Sequence, residues 1–432
     1  FKPKRRRDIQ HAVHFDTELE AANESDRNVG GAKMIEAKRM ARVSKGCLHG
    51  AEMADYGGWH TVAVSGQGPG WGKDHAWYYF CVDVTEPGSP RPLWEFTDPE
   101  STGETWSVPA IGRLPSTGRW VAFFGSGYDS DGDADVDLGN HFYCVDIETG
   151  AVLFNEPVDE KTDSPFGIQN TIPGAPALAD TDNDGAVNAV YFGDLLGRIW
   201  KIDTTGDPST WDLVSIYEDP FLHPIVTKPA IDIDRSDQSV YLYFGSGGDE
   251  GAPAGADYSF VALRDAGGVR SVVWFIGTDA FAGGLGVDAG LKMDTFSAGE
   301  KVWADDIISD GIVYIATLSG SIENINPCLT LAGSGHIYAR YTTGSRAGSS
   351  ALMDANGNAI VSLATLQKVR SAVTIGTTAQ VGTESKRKVF IQSYTQPADG
   401  GPEPPSQVLA QPITAQSRLR IKSWREVYRI IR

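Results

Sequence analysis

Cysteine is scarce, with four residues, Cys47, Cys81, Cys144 and Cys328, in a chain of 432. That number cannot staple a large fold. None of the four sits in a C-x-x-C or C-x-x-C-H spacing, so thiol-redox, zinc-ribbon and c-type haem readings fall away. Basic residues are outweighed, 37 against 56 acidic ones, for a net charge of −19. Phosphate backbones need a basic field, so this balance argues against nucleic acid as a partner; it suits divalent cations and an extracellular surface. No run of about 20 apolar residues exists, so no helical membrane span is expected. His-Glu-x-x-His, Gly-x-Ser-x-Gly, phosphate-loop and dinucleotide patterns are all missing, and no catalytic residue is assigned. His60, inside a strand-like run, reads as a packed or hydrogen-bonded side chain.

What is present is turn chemistry and repetition. With 49 glycines, 23 prolines and 41% hydrophobic residues, the chain has many turns and enough apolar mass for a large core. Residues 1–58 form an N-terminal segment with a basic end (Lys2, Lys4, Arg5, Arg6, Arg7) and a helix expected over Ala32–Val43. Phe1 is not an initiator methionine, so the chain is expected to be a processed or truncated piece. From Trp59 onward, apolar runs ending in small residues recur at 59–66, 119–125, 188–193, 240–245 and 311–316. A second run follows each, often closing on Asp, as at Asp83, Asp146 and Asp203. A third comes next at 93–96, 151–154 and 272–275, and a later run covers 388–392. Short strands repeating at roughly 50–70 residues are the pattern of propeller blades, none able to bury its faces alone. The expected fold is all-β, a β-propeller of about six to seven blades over 59–432. Cys81 and Cys144 occupy matching places in neighbouring repeats, as a bridge or as buried thiols.

One turn in this repeat stands apart. Asp180-Thr-Asp182-Asn-Asp184-Gly185-Ala186-Val-Asn188 places side-chain oxygens at its first, third, fifth and ninth positions, with glycine at the sixth. Ca²⁺ takes six to eight oxygens at about 2.3–2.6 Å, which Asp180, Asp182, Asp184, Asn188 and the Ala186 carbonyl would help supply. Position 12 is Tyr191 rather than the bidentate Glu of an EF-hand, so the loop lies between strands. The repeat provides its own control. Pro109 to Gly125, Pro176 to Gly193 and Pro229 to Gly245 span 16, 17 and 16 positions, yet only the second carries the full acidic set. The turn does not need carboxylates, and three of them repel one another unless a cation joins them.

A second, weaker candidate is Asp129, Asp131, Asp133, Asp135 and Asp137, with Asp at every odd position, read either as another Ca²⁺ loop or as a solvated hairpin tip. Asp305, Asp306, Asp232 and Asp234 read as ordinary turn or edge residues. The eleven tryptophans point to blade packing, with a carbohydrate platform as the alternative.

The runs Trp59–Gly66, Val82-Asp-Val-Thr-Glu-Pro87 with Leu93–Phe96, and Phe124-Gly-Ser-Gly-Tyr128 resemble the C-terminal propeller of PilY-type proteins, adhesins of the tip and biogenesis of bacterial type IV pili. So do the acidic loop and its continuation, Val190-Tyr-Phe-Gly-Asp-Leu-Leu-Gly-Arg-Ile-Trp-Lys-Ile-Asp203, and Ser423–Glu426 near the end. The resemblance covers 59–280 well and continues weakly beyond. It implies a non-enzymatic protein at the cell surface, pilus tip or outer membrane, with pilins or minor pilins and host or abiotic surfaces as partners. It further implies that Ca²⁺ on Asp180, Asp182, Asp184, Ala186 and Asn188 governs pilus extension against retraction and so twitching motility. Asn188 stands where the family carries Asp, which removes a charge and should weaken binding or make it more selective for high calcium. The region that carries adhesion in many members is missing or reduced to residues 1–58, which leaves a larger parent chain open. Two other readings remain: a quinone-dependent dehydrogenase-like propeller, set back by the lack of an adjacent cysteine pair, and an integrin-like propeller, which would repeat the acidic loop in several blades.

Overall fold

The apolar runs pair as successive antiparallel meanders in the computed structural model of the protein, which describes residues 46–54, 57–70, 76–129, 138–158, 168–249, 251–253, 255–319, 335–354, 356, 358–365, 374–377, 387–390 and 408–409. The chain forms two compact units, Phe1–Lys228 and Pro229–Arg432.

In the first unit three four-stranded sheets follow one another. They are β1 (Gly46–Met53), β2 (Gly58–Gly66), β3 (Tyr79–Asp83) and β4 (Arg91–Phe96); then β5 (Ala110–Arg113), β6 (Trp120–Gly125), β7 (His141–Asp146) and β8 (Val152–Pro157); then β9 (Ala177–Ala179), β10 (Ala189–Gly193), β11 (Arg198–Asp203) and β12 (Leu213–Glu218). Each sheet is ordered as its strands occur in sequence. The sheet therefore starts at Gly46, inside the segment that the sequence assigned to residues 1–58, because β1 pairs with β2 over its whole length, from Gly46 opposite Ser65 to Met53 opposite Gly58. The expected helix over Ala32–Val43 lies outside the described residues.

The middle sheet explains why its strands read as continuous apolar runs, since it is buried on both faces. Val121, Phe123, Phe142 and Cys144 pack with Val190, Phe192 and Trp200 of the third sheet and with Trp211 of its β11–β12 connection. The alternating set, Ala122, Phe124, Tyr143 and Val145, packs with Val62, Val64, Tyr79 and Trp94 of the first. Polar ties cross the same seams. Tyr79 Oη donates to the Gly125 carbonyl at 2.7 Å, and Trp94 Nε1 to that of Ile147 at 2.9 Å. Cys81 and Cys144 are buried free thiols.

The glycines that close the second strands are sites of close approach. A Cβ on Gly66 would lie 2.2 Å from the Thr105 carbonyl oxygen, and one on Gly125 2.3 Å from that of Ile172. On Gly193 it would meet Ile225 Cγ2 at 2.5 Å. The segment leaving each sheet thus crosses where only glycine leaves room. Gly125→Ala is expected to cost about 1–3 kcal/mol through forced backbone shifts, read as a lower urea midpoint at unchanged slope. A midpoint equal to wild type would show that the crossing yields freely.

Asp at the end of a third strand makes the next turn. Asp83, Asp146 and Asp203 accept through Oδ1 from the backbone N–H two residues on, at 2.9, 3.0 and 3.0 Å. His60 Nδ1 lies 2.8 Å from Asp83 Oδ2, and Arg91 Nη2 3.1 Å from it, so His60 is a hydrogen-bonded side chain as expected. Burial would raise the Asp83 pKa, but hydrogen bonds from Thr85 and His60 outweigh it and hold the carboxyl at about 2.

The second unit continues the pattern. One sheet joins β13 (Ala230–Asp234), β14 (Ser239–Gly245), β15 (Phe260–Ala266), β16 (Val269–Ile276) and β17 (Lys292–Asp294). The next joins β18 (Glu300–Val302), β20 (Ile312–Ser319), β21 (Gly335–Tyr341) and β22 (Leu363–Thr365), with β19 (Ile307–Ser309) also on β20. A three-stranded sheet of β23 (Thr374–Thr377), β24 (Arg387–Phe390) and β25 (Val408–Leu409) follows, making six sheets among the described residues. Helix α1 (Asp279–Leu285) is bounded by Thr278, whose side chain accepts from Phe281 N–H, and by Gly286 at φ 67°. Within this unit Gly245 repeats the close approach, with Val302 Cγ2 2.1 Å from where a Cβ would stand.

Candidate metal centre

The acidic loop is the turn between β9 and β10, as the repeat required, and its sister turns join β5 to β6 and β13 to β14. Its ends are fixed. Val187 N–H donates to the Arg113 carbonyl at 2.9 Å, and Asn188 N–H to that of Ala179 at 2.8 Å. Ala186 and Val187 are buried, and Val187 joins the apolar cluster between the second and third sheets. The tip, residues 182–185, is exposed. Gly185 has φ 84° and Asn183 φ 64°, left-handed conformations that reverse the chain and suit these residue types.

Asp180, Asp182 and Asp184 each offer a carboxylate oxygen, and the three lie within 4.8 Å of one another. Two ligands on one Ca²⁺ stand at most about 5 Å apart, twice the 2.3–2.6 Å bond length, so the spacing fits. Backbone N–H groups aim the carboxylates. Gly185 N–H reaches Asp180 Oδ2 at 2.9 Å, Asp184 N–H reaches Asp180 Oδ1 at 3.2 Å and Asp182 Oδ1 at 3.3 Å, and Ala186 N–H reaches Asp184 Oδ1 at 2.7 Å. A carboxylate has about four lone-pair sites, so acceptor capacity remains on each. Arg113 Nη2 approaches from the second sheet but bonds the Asp184 backbone carbonyl, at 3.2 Å, rather than a carboxylate.

Asn188 is used differently from the other candidates. Its Oδ1 accepts from Thr181 N–H at 2.6 Å and from Thr181 Oγ1 at 3.1 Å, which ties the two ends of the loop together. Of the second cluster, Asp129 is half-buried beside the Glu104–Tyr128 bridge, while Asp131, Asp133, Asp135 and Asp137 lie outside the described residues. Asp234 caps a turn through Ser236 N–H at 2.9 Å, and Asp232 bonds Ile233 N–H at 3.0 Å, both on the edge strand β13. Asp306 is not an ordinary turn residue: it is buried, and burial pushes its carboxyl well above the usual range.

Two polar centres were not singled out from the sequence. Asp194, fully buried, accepts from Leu196 N–H (3.0 Å), Arg198 N–H (2.9 Å), Arg198 Nε (2.9 Å) and Trp200 Nε1 (2.8 Å). Glu300, also buried, accepts from His336 Nδ1 at 3.0 Å and Tyr338 Oη at 2.9 Å. Burial alone would raise the Glu300 pKa, but the bonds from His336 and Thr317 prevail and lower it. The signal for Asp194 was present as Gly-Asp-Leu-Leu-Gly-Arg-Ile-Trp, with the donors four and six residues on.

The family model of the PilY1 beta-propeller domain matches residues 81–252. Type IV pilus biogenesis factor PilY1 of Pseudomonas aeruginosa (strain UCBPP-PA14) is 35% identical over 161 residues, 36% of this chain and 12% of that protein. A PilY1 homolog of Xylella fastidiosa (strain Temecula1) is 32% identical over 179 residues, 39% of this chain and 11% of that protein. The aligned stretches thus span about an eighth of the length of these relatives. The crystal structure of the Pseudomonas aeruginosa PilY1 C-terminal domain shares the fold, at a TM-score of 0.57 and 16% identity, over 88% of this chain and 87% of that one. The fold is that of a β-propeller, and the stretch that matches the PilY1 beta-propeller family model, residues 81–252, includes the acidic loop.

Proposed function

We propose that the chain is a non-enzymatic, calcium-binding propeller of a type IV pilus-associated surface protein, acting in adhesion and in calcium-dependent control of pilus assembly and retraction. The observation that carries the metal is the convergence of Asp180, Asp182 and Asp184 within 4.8 Å in a turn whose sisters lack them. The pilus assignment is supported by the relatives matched across this region, which are named type IV pilus biogenesis factors. Pilins or minor pilins are the partners this reading calls for, at the pilus tip or outer surface. Among the described residues, no helix is long and apolar enough to cross a membrane.

A cation that binds only the folded state adds about 2.7 kcal/mol at a hundredfold excess over its dissociation constant. Calcium is therefore expected to raise the melting temperature and to give a saturable calorimetric signal. Both should vanish in the Asp182→Ala, Asp184→Ala double variant. A flat titration of the wild type, or an unchanged one in the double variant, would refute the site.

A further inference from the structure

The acidic loop is held along one side by a strand of the neighbouring sheet. Val187 N–H donates to the Arg113 carbonyl at 2.9 Å, and Arg113 Nη2 donates to the Asp184 carbonyl at 3.2 Å. One residue at the end of β5 thus grips the stretch 184–187 at both ends. Strand and loop run close together there. A Cβ on Gly112 would stand 2.3 Å from Val187 Cγ2, and one on Gly185 4.0 Å from Arg113 Nη2. The repeat matches the two partners as well. Arg113 follows Pro109 by four residues, as Asp180 follows Pro176 and Ile233 follows Pro229. The first carboxylate of the loop and the guanidinium beside it come from equivalent places in adjacent sheets.

The choice of acceptor decides what this arginine does. Bonded to a carboxylate, it would take up oxygens that a metal needs. It bonds a backbone carbonyl instead, so its charge lies beside Asp180, Asp182 and Asp184 and leaves their oxygens open. A guanidinium carries donors only and stays protonated, so it cannot itself become a ligand. Without a metal, its positive charge offsets part of the repulsion among the three carboxylates. When a cation arrives, the same charge opposes it.

We propose that Arg113 sets the calcium affinity of the loop, as a fixed counter-charge that competes with the metal through space and keeps binding weak. This rests on the calcium reading above and names the residue of the second sheet that tunes it. Because the effect is one of charge, it grows with the charge of the ion and fades as salt screens it. The Debye length is about 30 Å at 0.01 M ionic strength and about 3 Å at 1 M.

The test titrates the full 432-residue chain with CaCl₂ and with TbCl₃ by calorimetry, as wild type, Arg113→Gln and Arg113→Lys, at these two ionic strengths. The glutamine amide can still donate to the Asp184 carbonyl, so that variant removes the charge and keeps a donor. At the lower salt it should bind Ca²⁺ about fivefold more tightly than wild type, the equivalent of about 1 kcal/mol. The gain for Tb³⁺ should be larger, about tenfold. Arg113→Lys should bind as wild type does, and at the higher salt the gain in Arg113→Gln should shrink to about twofold or less. Melting curves of the variants confirm that they fold. An affinity unchanged or weakened in Arg113→Gln at low salt would overturn the proposal. So would a gain that high salt leaves intact or that Arg113→Lys shares. Wild type and variants all silent to both ions would refute the calcium site itself, and the proposal with it.

Discussion

Replacing Asp194 with alanine is expected to lower the unfolding free energy by about 3–5 kcal/mol, the cost of stripping one partner from a buried ion pair. The carboxylate has no solvent exposure, and the Arg198 side chain that it holds is only 12% exposed. Its hydrogen-bond partners are all donors: two backbone N–H groups, the Arg198 Nε, the Trp200 indole and, at 3.4 Å, the Asn170 amide. Removing it strips the Arg198 guanidinium and the Trp200 indole N–H of their buried acceptor. The residue also anchors the crossing segment, since Ile225 N–H donates to the Asp194 carbonyl at 3.0 Å. Asp194→Asn keeps the volume but turns an amide N–H toward donors, so it should recover only part of the loss. Urea denaturation of the three proteins measures this directly. A loss under about 1 kcal/mol for the alanine variant would mean that the network is worth no more than a single neutral hydrogen bond.

Phe192→Ala is expected to cost a similar amount, about 3–5 kcal/mol. Phe142 of β7 and Phe192 of β10 stack with centroids 4.0 Å apart and planes within 5°, both wholly buried. The pair is one of the contacts through which the second and third sheets share a core, so truncation of one ring leaves a cavity that the other cannot fill without leaving its own sheet. Because each single variant already breaks the stack, the Phe142→Ala, Phe192→Ala double variant should lose less than the sum of the two. Strict additivity would show that the rings pack independently.

The strands were legible because the sheets are buried on both faces. Runs such as Arg119–Gly125 and Val240–Gly245 are apolar without alternation and end on the glycine that the crossing segment requires. Strand β1 was missed for the opposite reason: Gly-Cys-Leu-His-Gly-Ala-Glu-Met carries two glycines and little apolar weight, and it is a strand because β2 offers it eight partners in register. Helix α1 was hidden by Gly283 and Gly284, although its boundary residues, Thr278 and Gly286, were in plain sight. In the acidic loop the three aspartates were readable from spacing alone, since alternate residues of a tight turn point to one side. The contacts of Asn188 with Thr181 were not, because an oxygen that closes a loop and one that faces its centre look the same in sequence. Asp194 and Glu300 escaped because their partners are assembled by pairing of strands and by turns that spacing does not specify.

The sister turns of the acidic loop carry a practical consequence. Between fixed proline and glycine markers, the 114–119 and 235–238 turns do the same geometric task with different residues. The framework nearly fixes the distance from proline to glycine, at 16 or 17 positions, and leaves the length and content of the turn free. Such positions are grafting points, where a ligand set or an epitope can be written into one repeat while the strands on either side keep their register. The acidic loop is then one instance of a general property of this scaffold: chemistry is added at the hairpin tips, one sheet at a time, without renegotiating the core.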